Sequence, residues 1–294
     1  MHVEEPLVSV VIPCYNHESF VQYSVQSVID QTYQNIELII IDDGSKDGSL
    51  AKIEEMVALC EQRFVRFQFR SRSNKGLSTT LNEAIEWCEG KYVALLASDD
   101  VILEHKTQVQ VDFLEKNQLI TAVCGGVELI DQYNNLIKVK LKLEKTYSFE
   151  EIIMHRFELP AATQMIRRDA LMAVKGFNPD IVLEDWYMWL KLSQIGKIHY
   201  MNQVLALYRQ HDTNFSKNSD KMWRGRIEVL ECFRDSKHYP KAIKRVRWLN
   251  ASAAYMNSKD DRAKFLWELF KERPFKTLNM IAINEPLKKL KSKK

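Results

Sequence analysis

At 294 residues, 46% of them apolar, the chain is long enough for one large α/β domain plus an appendage and too apolar to be a disordered segment. Its 5 cysteines are odd in number and scattered, without a CxxC pair, which fits reduced core thiols in a cytosol better than a secreted disulfide framework. The formal charge of +3 hides an asymmetry, since residues 1–214 hold 21 Lys/Arg against 30 Asp/Glu while residues 215–294 hold 21 against 9.

The start MHVEEP lacks the basic head and apolar core of a signal peptide, and no apolar run reaches membrane-spanning length, so a cytoplasmic chain is expected. The β-branched run 8–12 ends at Pro13 and reads as a strand; PCYNHE after it is too polar and turn-prone to continue it. Val21, Val25 and Val28 recur at helical spacing within 19–31. ELIII at 37–41 has the pattern of a buried strand, and DDGSKDGS makes a tight polar loop leading into a helix at 50–59. Strand, helix, strand, helix in this rhythm implies parallel crossovers. A strand at 65–69 and a helix carrying Leu77, Leu81, Ala84, Ile85 and Cys88 follow, with Gly90 where a C-terminal cap belongs. KYVALLASDD then supplies a strand covered on both faces and tipped by Asp99 and Asp100.

Beyond that strand the rhythm loosens. The expectation is a helix at 104–116, a strand at 120–130, an irregular polar region to 145, a short helix near 148–155 and an edge strand at 161–167. The amphipathic helix EDWYMWLKLSQIG and a strand at 197–208 come next. After residue 216 three helices with basic faces, at 221–235, 240–256 and 260–271, precede the closing LKKLKSKK.

PCYN, DDGS and ASDD fall at the carboxyl ends of three parallel strands and so converge on the rim where open α/β sheets bind ligands. Tyr15 can cover a planar base, Asp42 or Asp43 can accept from a base N–H or a ribose hydroxyl, and Asp99 with Asp100 can hold sugar hydroxyls and a divalent cation. Adjacent carboxylates repel unless a cation, a donor or water separates them, which suits a metal carrying a phosphorylated substrate. An N-cap for the next helix suits the pair equally. Neither GxGxxG nor GxxxxGK[ST] occurs, so the usual phosphate cradles are absent and a cation must neutralise a diphosphate. A sugar nucleotidyltransferase would want a Gly-rich basic loop near its start, and PCYNHESF offers none.

Five stretches in order, VSVVIPCYN, ELIIIDDGSKDGS, NKGLSTTLNEAIEWCEGKYVALLASDD, GFNPDIVLEDWYMWLKL and YRQHDTNFS, resemble the successive signatures of the family 2 glycosyltransferases over residues 6–216. The resemblance implies a GT-A fold, an α/β, Rossmann-like arrangement of a mostly parallel sheet with flanking helices, here with a helical basic C-terminal extension. It also implies transfer of a hexosyl or deoxyhexosyl group from a nucleotide-diphosphate donor to an acceptor hydroxyl with inversion, using Mg2+ or Mn2+. By position, Pro13 and Tyr15 border the nucleobase, Asp43 accepts from it beside Asp42, and Asn74 and Asp99 complete the donor contacts. Asp100 and His211 hold the metal, Asp185 is the base, and Glu184 and Trp186 line the acceptor side.

For several of these a plainer reading stays open. Glu184 and Asp185 can simply cap their helix, although the positive end of its dipole would also hold a base ionised. His211 alone reads as a surface residue as readily as a ligand, and Trp186 and Trp189 read as core. Ala97 stands where a fuller DxDD has its first Asp, and Leu81 where many relatives carry an Arg. These departures leave open a nucleotide-sugar-binding or assembly protein without turnover. KAIKRVRW, with Lys244, Arg247 and Trp248, lacks the Gln of the QxxRW of processive polymerases.

The organisation implied is a nucleotide-sugar-binding half at 1–118, an acceptor and catalytic half at 119–216 and a basic helical region at 217–294. In the last, Leu266, Trp267, Leu269, Phe270 and Phe275 interleave with Lys264, Lys271, Arg273 and Lys276. That pattern suits an anionic membrane surface presenting a lipid-linked acceptor, or a helical cap packed on the catalytic domain. Nucleic acid is not expected, since the acidic body opposes it. The role implied is O-antigen, capsule or lipopolysaccharide synthesis.

Overall fold

The computed structural model describes residues 5–212, 214, 218–257 and 262–278. The closing LKKLKSKK, the expected helix start at Asp260, and Thr213, Phe215 and Ser216 of YRQHDTNFS lie outside the described residues. Two compact units divide the chain, one within Met1–Ile152 and Phe157–Asn218, the other within Ile153–Arg156 and Ser219–Lys294.

The first unit is built on β1 (Val8–Cys14), β2 (Ile36–Asp42), β3 (Arg66–Ser71) and β4 (Tyr92–Leu95), parallel in the order β3-β2-β1-β4. Every residue of β2 and β4 is buried, as the unbroken apolar runs require of strands covered on both faces. Helices α1 (Val21–Ile29), α2 (Ser49–Glu54), α3 (Val57–Arg63) and α4 (Leu77–Trp87) carry the crossovers. The single helix expected at 50–59 is two helices, broken where Met56 turns into the core.

β5 (Val101–Ile102), α5 (Lys106–Lys116), β6 (Ile120–Asp131), β7 (Leu136–Lys140), β8 (Lys145–Tyr147), α6 (Phe149–Ile153), β9 (Met165–Arg167), α7 (Arg168–Ala173), α8 (Glu184–Ile195) and β10 (Lys197–Gln210) extend the sheet to β3-β2-β1-β4-β9-β6-β10-β5. Two expectations need correction. The segment at 161–167 is a 3-10 turn (Ala161–Thr163) followed by β9, which is no edge strand: it lies antiparallel between β4 and β6, with all three residues buried. The irregular polar region before 145 contains β7, antiparallel to β6, and β8 begins at its end, antiparallel to β10. Both are short and neither reaches the core, β7 being exposed throughout and β8 nearly so, which leaves little periodicity to read.

In the second unit, α9 (Ser219–Glu231), α10 (Tyr239–Asn257) and α11 (Arg262–Glu272) gather Val229, Leu230, Ala242, Val246 and Leu269 out of water. Trp248 donates its indole N–H to Thr277 Oγ1 at 3.2 Å and Arg247 lies 3.9 Å from Glu272, so the near miss to QxxRW serves helix packing here.

A buried acid locks the first unit. Glu37 on β2 is fully buried and accepts from Ser9 Oγ, from Arg66 Nη1 at 2.5 Å and from the backbone N–H groups of Glu89 and Gly90 at 2.6 and 3.0 Å. It thereby joins β1, β2, β3 and the turn into β4. Glu37→Ala leaves these donors and a partly buried guanidinium unpaired, and is expected to lower unfolding stability by about 3–5 kcal/mol, read as a lower urea midpoint at unchanged slope.

Candidate active site

The loops after β1, β2 and β4 leave neighbouring parallel strands on one edge, so PCYN, DDGS and ASDD share a rim. They are stitched together. Asn16 N–H donates to Ser45 Oγ and Asn16 Oδ1 accepts from Lys46 N–H, at 2.9 and 2.7 Å. His17 binds all three loops: its N–H donates to Ser49 Oγ at 2.9 Å and its Nδ1 lies 2.7 Å from Ser98 Oγ.

Asp42 is buried and accepts from Ser71 Oγ at 2.8 Å and from Ser45 N–H at 3.3 Å. Asp43 accepts from Arg72 Nη1 and Lys75 N–H through Oδ1 and from Gly76 N–H through Oδ2, the last two at 2.7 and 2.9 Å. Oδ2 therefore keeps acceptor capacity. Gly44, at φ +75°, makes this possible: a Cβ there would stand 2.7 Å from Asn74 N. Asn74 and Tyr15 are exposed and Pro13 is half-buried on the same rim.

Among the described residues, one group of three side chains offers metal-ligand atoms together: His17, Asp99 and His211, all within 4.8 Å of one another. His211 Nε2 is 2.9 Å from Asp99 Oδ2, and the imidazoles of His17 and His211 meet edge-on at 5.7 Å. Burial alone would raise Asp99, but the bond from His211 and the nearby imidazoles hold its carboxyl below the usual range. Burial pushes the His17 imidazole below its ordinary value, favouring the neutral form that binds metals.

The pairing of Asp100 with His211 expected from the sequence is not what the side chains do. Asp100 is 2% exposed and turned inward, its Oδ1 accepting from Arg209 N–H at 2.9 Å. Burial and the adjacent Asp99 charge push it well above the usual carboxylate range. The two acids sit in the turn after β4, closed by Asp100 N–H on Ala97 O at 3.1 Å, and here Asp99 is the one meeting His211. Arg209, fully buried, donates from Nε to Asp99 O at 2.8 Å and from Nη1 to Asn134 Oδ1 at 2.6 Å and Asp131 O at 3.2 Å.

Glu184 and Asp185 occupy the first turn of the 12-residue helix α8, half-buried. Burial, and for Glu184 also the neighbouring Asp185 charge, pushes the pair up, Asp185 to about 6 and Glu184 to about 8. Helix α8 packs against β6 and β10. Trp186 does not line an acceptor pocket: it is 2% exposed, and its indole N–H donates to Ile152 O at 3.0 Å.

Sequence reasoning missed His17 and Arg209. His17 stands one residue past PCYN, and Arg209 inside YRQHD, so both lay within motifs already noticed. What could have drawn attention to Arg209 is a lone cation at the end of an apolar strand, a position that needs a carboxylate partner.

The model of the family described as Glycosyl transferase family 2 matches residues 9–174. An uncharacterized glycosyltransferase of Rickettsia conorii is 30% identical over 74% of the chain, which spans 36% of that relative's length. The Escherichia coli UDP-Glc:alpha-D-GlcNAc-diphosphoundecaprenol beta-1,3-glucosyltransferase WfgD is 28% identical, over 79% of this chain and 88% of its own. Among solved structures, S. aureus TarS 1-349 with UDP-GlcNAc matches with a TM-score of 0.60 at 15% identity, covering 90% of this chain and 71% of that one. The mannosyltransferase PcManGT of Pyrobaculum calidifontis, with GDP-Man and Mn2+, matches with a TM-score of 0.63 at 15% identity, covering 95% and 84%. The fold is therefore GT-A, and the chain belongs to the family 2 glycosyltransferases.

Proposed function

We propose that the chain transfers a sugar, with inversion and metal assistance, from a nucleoside-diphosphate donor to a hydroxyl of a lipid-diphosphate-linked glycan in cell-surface polysaccharide synthesis. The observation that carries this reading is the meeting of Asp99, His17 and His211 on the rim formed by the loops of β1, β2 and β4. The acceptor class is taken from WfgD, whose name specifies a diphosphoundecaprenol-linked sugar.

On the donor side, Tyr15 and Pro13 flank the base and Asp43 Oδ2 accepts from its N–H, with Asp42 bracing the loop and Asn74 on its outer lip. Two imidazoles with one carboxylate form a donor set suited to Mn2+ more than to Mg2+, which favours all-oxygen ligands. A bound divalent cation would neutralise charge building on the leaving diphosphate. Asp185 takes the proton of the attacking hydroxyl. At pH 7 the pair holds one charge, Asp185 ionised and Glu184 protonated, so that Glu184 can donate toward the acceptor or toward Asp185. In the second unit, Trp267 and Phe275 are exposed close to Lys264, Lys271 and Lys276 in sequence, which supports docking of the tail on an anionic membrane, while Leu269 is spent on packing.

Three measurements check this reading. Asp185→Asn is expected to cut kcat by about 10²–10⁴ at unchanged donor affinity, and wild-type kcat/KM to fall as the pH drops through about 6 while the base protonates; turnover at the wild-type rate would refute the assignment. Mn2+ with UDP or GDP is expected to raise the wild-type melting temperature, and His17→Ala, Asp99→Asn and His211→Ala each to abolish that rise. Glu184 titrates higher folded than unfolded, so it costs stability as pH climbs from the ordinary Glu value towards about 8. Glu184→Gln should accordingly melt higher than wild type at pH 8, with the difference vanishing near pH 4.

A further inference from the structure

Tyr133, Leu136, Ile137, Val139, Leu141 and Leu143 are each between 41% and 86% exposed, and no other stretch of this length among the described residues leaves as many large apolar side chains in water. They belong to β7 and the turns flanking it. β7 pairs with β6 along one edge, and its other edge pairs with no strand among the described residues.

The register sorts its side chains. Lys138 and Lys140 stand opposite Leu129 and Val127, whereas Val139 stands opposite Glu128 and Leu136 opposite Ile130. Partners across a ladder share a face, so the lysines lie on one side and Leu136 and Val139 on the other. The irregularity between Leu129 and Ile130 takes up Ile137 and brings Leu136 onto the Val139 face. Leu141 prolongs that face over Gly126, where a Cβ would stand 2.7 Å from Leu141 Cδ1. Its one acid is Glu128, half-buried on β6.

Charge narrows the occupant. Lys142 and Lys145 are matched by Glu158 and Glu151 at 3.2 and 2.8 Å, but the described residues supply no ion pair to Lys138 or Lys140. A second copy of the chain added to this edge would set lysine against lysine across the new ladder. An anionic bilayer meets both faces, as it does for amphipathic segments lying in the plane of the headgroups. The turn before β7 is also anchored. Asp131 Oδ1 accepts from Tyr133 and Asn135 N–H at 2.8 and 2.9 Å, and Arg209 Nη1 holds Asn134, so the strand begins beside the site carboxylates.

We propose that β7 and its flanking turns dock the first unit on an anionic lipid surface, with Leu136, Val139, Leu141 and Leu143 at the acyl boundary and Lys138 and Lys140 among the phosphates. A lipid-linked acceptor is thereby presented to the rim, a consequence that rests on the acceptor class given above.

The test is co-sedimentation of the full chain with phosphatidylcholine vesicles, with and without phosphatidylglycerol. Lys138→Gln with Lys140→Gln is expected to lower partitioning onto the anionic vesicles roughly 30-fold, from about 1 kcal/mol for each lysine at such a surface. Leu136→Ser with Val139→Ser should lower it as well, and both double variants should keep the wild-type melting temperature and donor stabilisation. Wild-type vesicle binding by both double variants overturns the proposal. So does complete loss of binding in Trp267→Ser with Phe275→Ser, which would give the whole effect to the tail. A dimer in sedimentation velocity that Leu136→Ser with Val139→Ser dissolves would make the strand an interface between copies, and would also overturn it. Vesicles without acceptor report docking alone, so failure here leaves the transfer reading standing, and failure of transfer leaves the vesicle result standing.

Discussion

Arg209 is the brace on which the acidic rim depends. Two adjacent carboxylates at the end of a buried strand cannot both be charged in a low dielectric without compensation. Burial and the Asp99 charge push Asp100 well above the usual range, while Arg209 on β10 braces the pair, with its backbone N–H on Asp100, its Nε on the Asp99 carbonyl and its guanidinium over the rings of Phe20 and Tyr23. Asp100 becomes part of the scaffold and Asp99 is presented outward. The same guanidinium grips Asp131 and Asn134, so β4, β10 and the β6–β7 turn are fixed by one side chain.

On the opposite flank the carboxylates that organise the rim are similarly occupied. Asp43 closes the 72–76 loop through Arg72 and two backbone N–H groups, and Arg72 in turn holds Glu83 on α4 at 2.8 Å. A rim built from satisfied hydrogen bonds is held rigid before any ligand arrives, and a preorganised site loses less entropy on binding. On this rim Tyr15 stays in solvent, and His17 and His211 gather around Asp99.

Much of the fold was legible in the residues. The unbroken apolar runs of β1, β2 and β4 and the polar loops after them dictate parallel strands with a common binding edge, because an apolar strand needs cover on both faces and its turn does not. β7 was not legible, since its five residues carry an irregularity in register and rest on no core, and β9 was too short to betray its place inside the sheet. The longer second-unit helices, by contrast, follow directly from apolar spacing.

What the sequence by itself determined was the set of chemical groups at the rim, the family they resemble and the helix that carries Glu184 and Asp185, because these follow from local spacing and residue type. Only the tertiary structure decided which of two adjacent aspartates meets His211, that His17 joins them, and that Trp186 is packing rather than a sugar platform. Asp99 and Asp100 sit in a turn, and which of them is held inward is fixed by a strand more than a hundred residues away, through the Arg209 N–H.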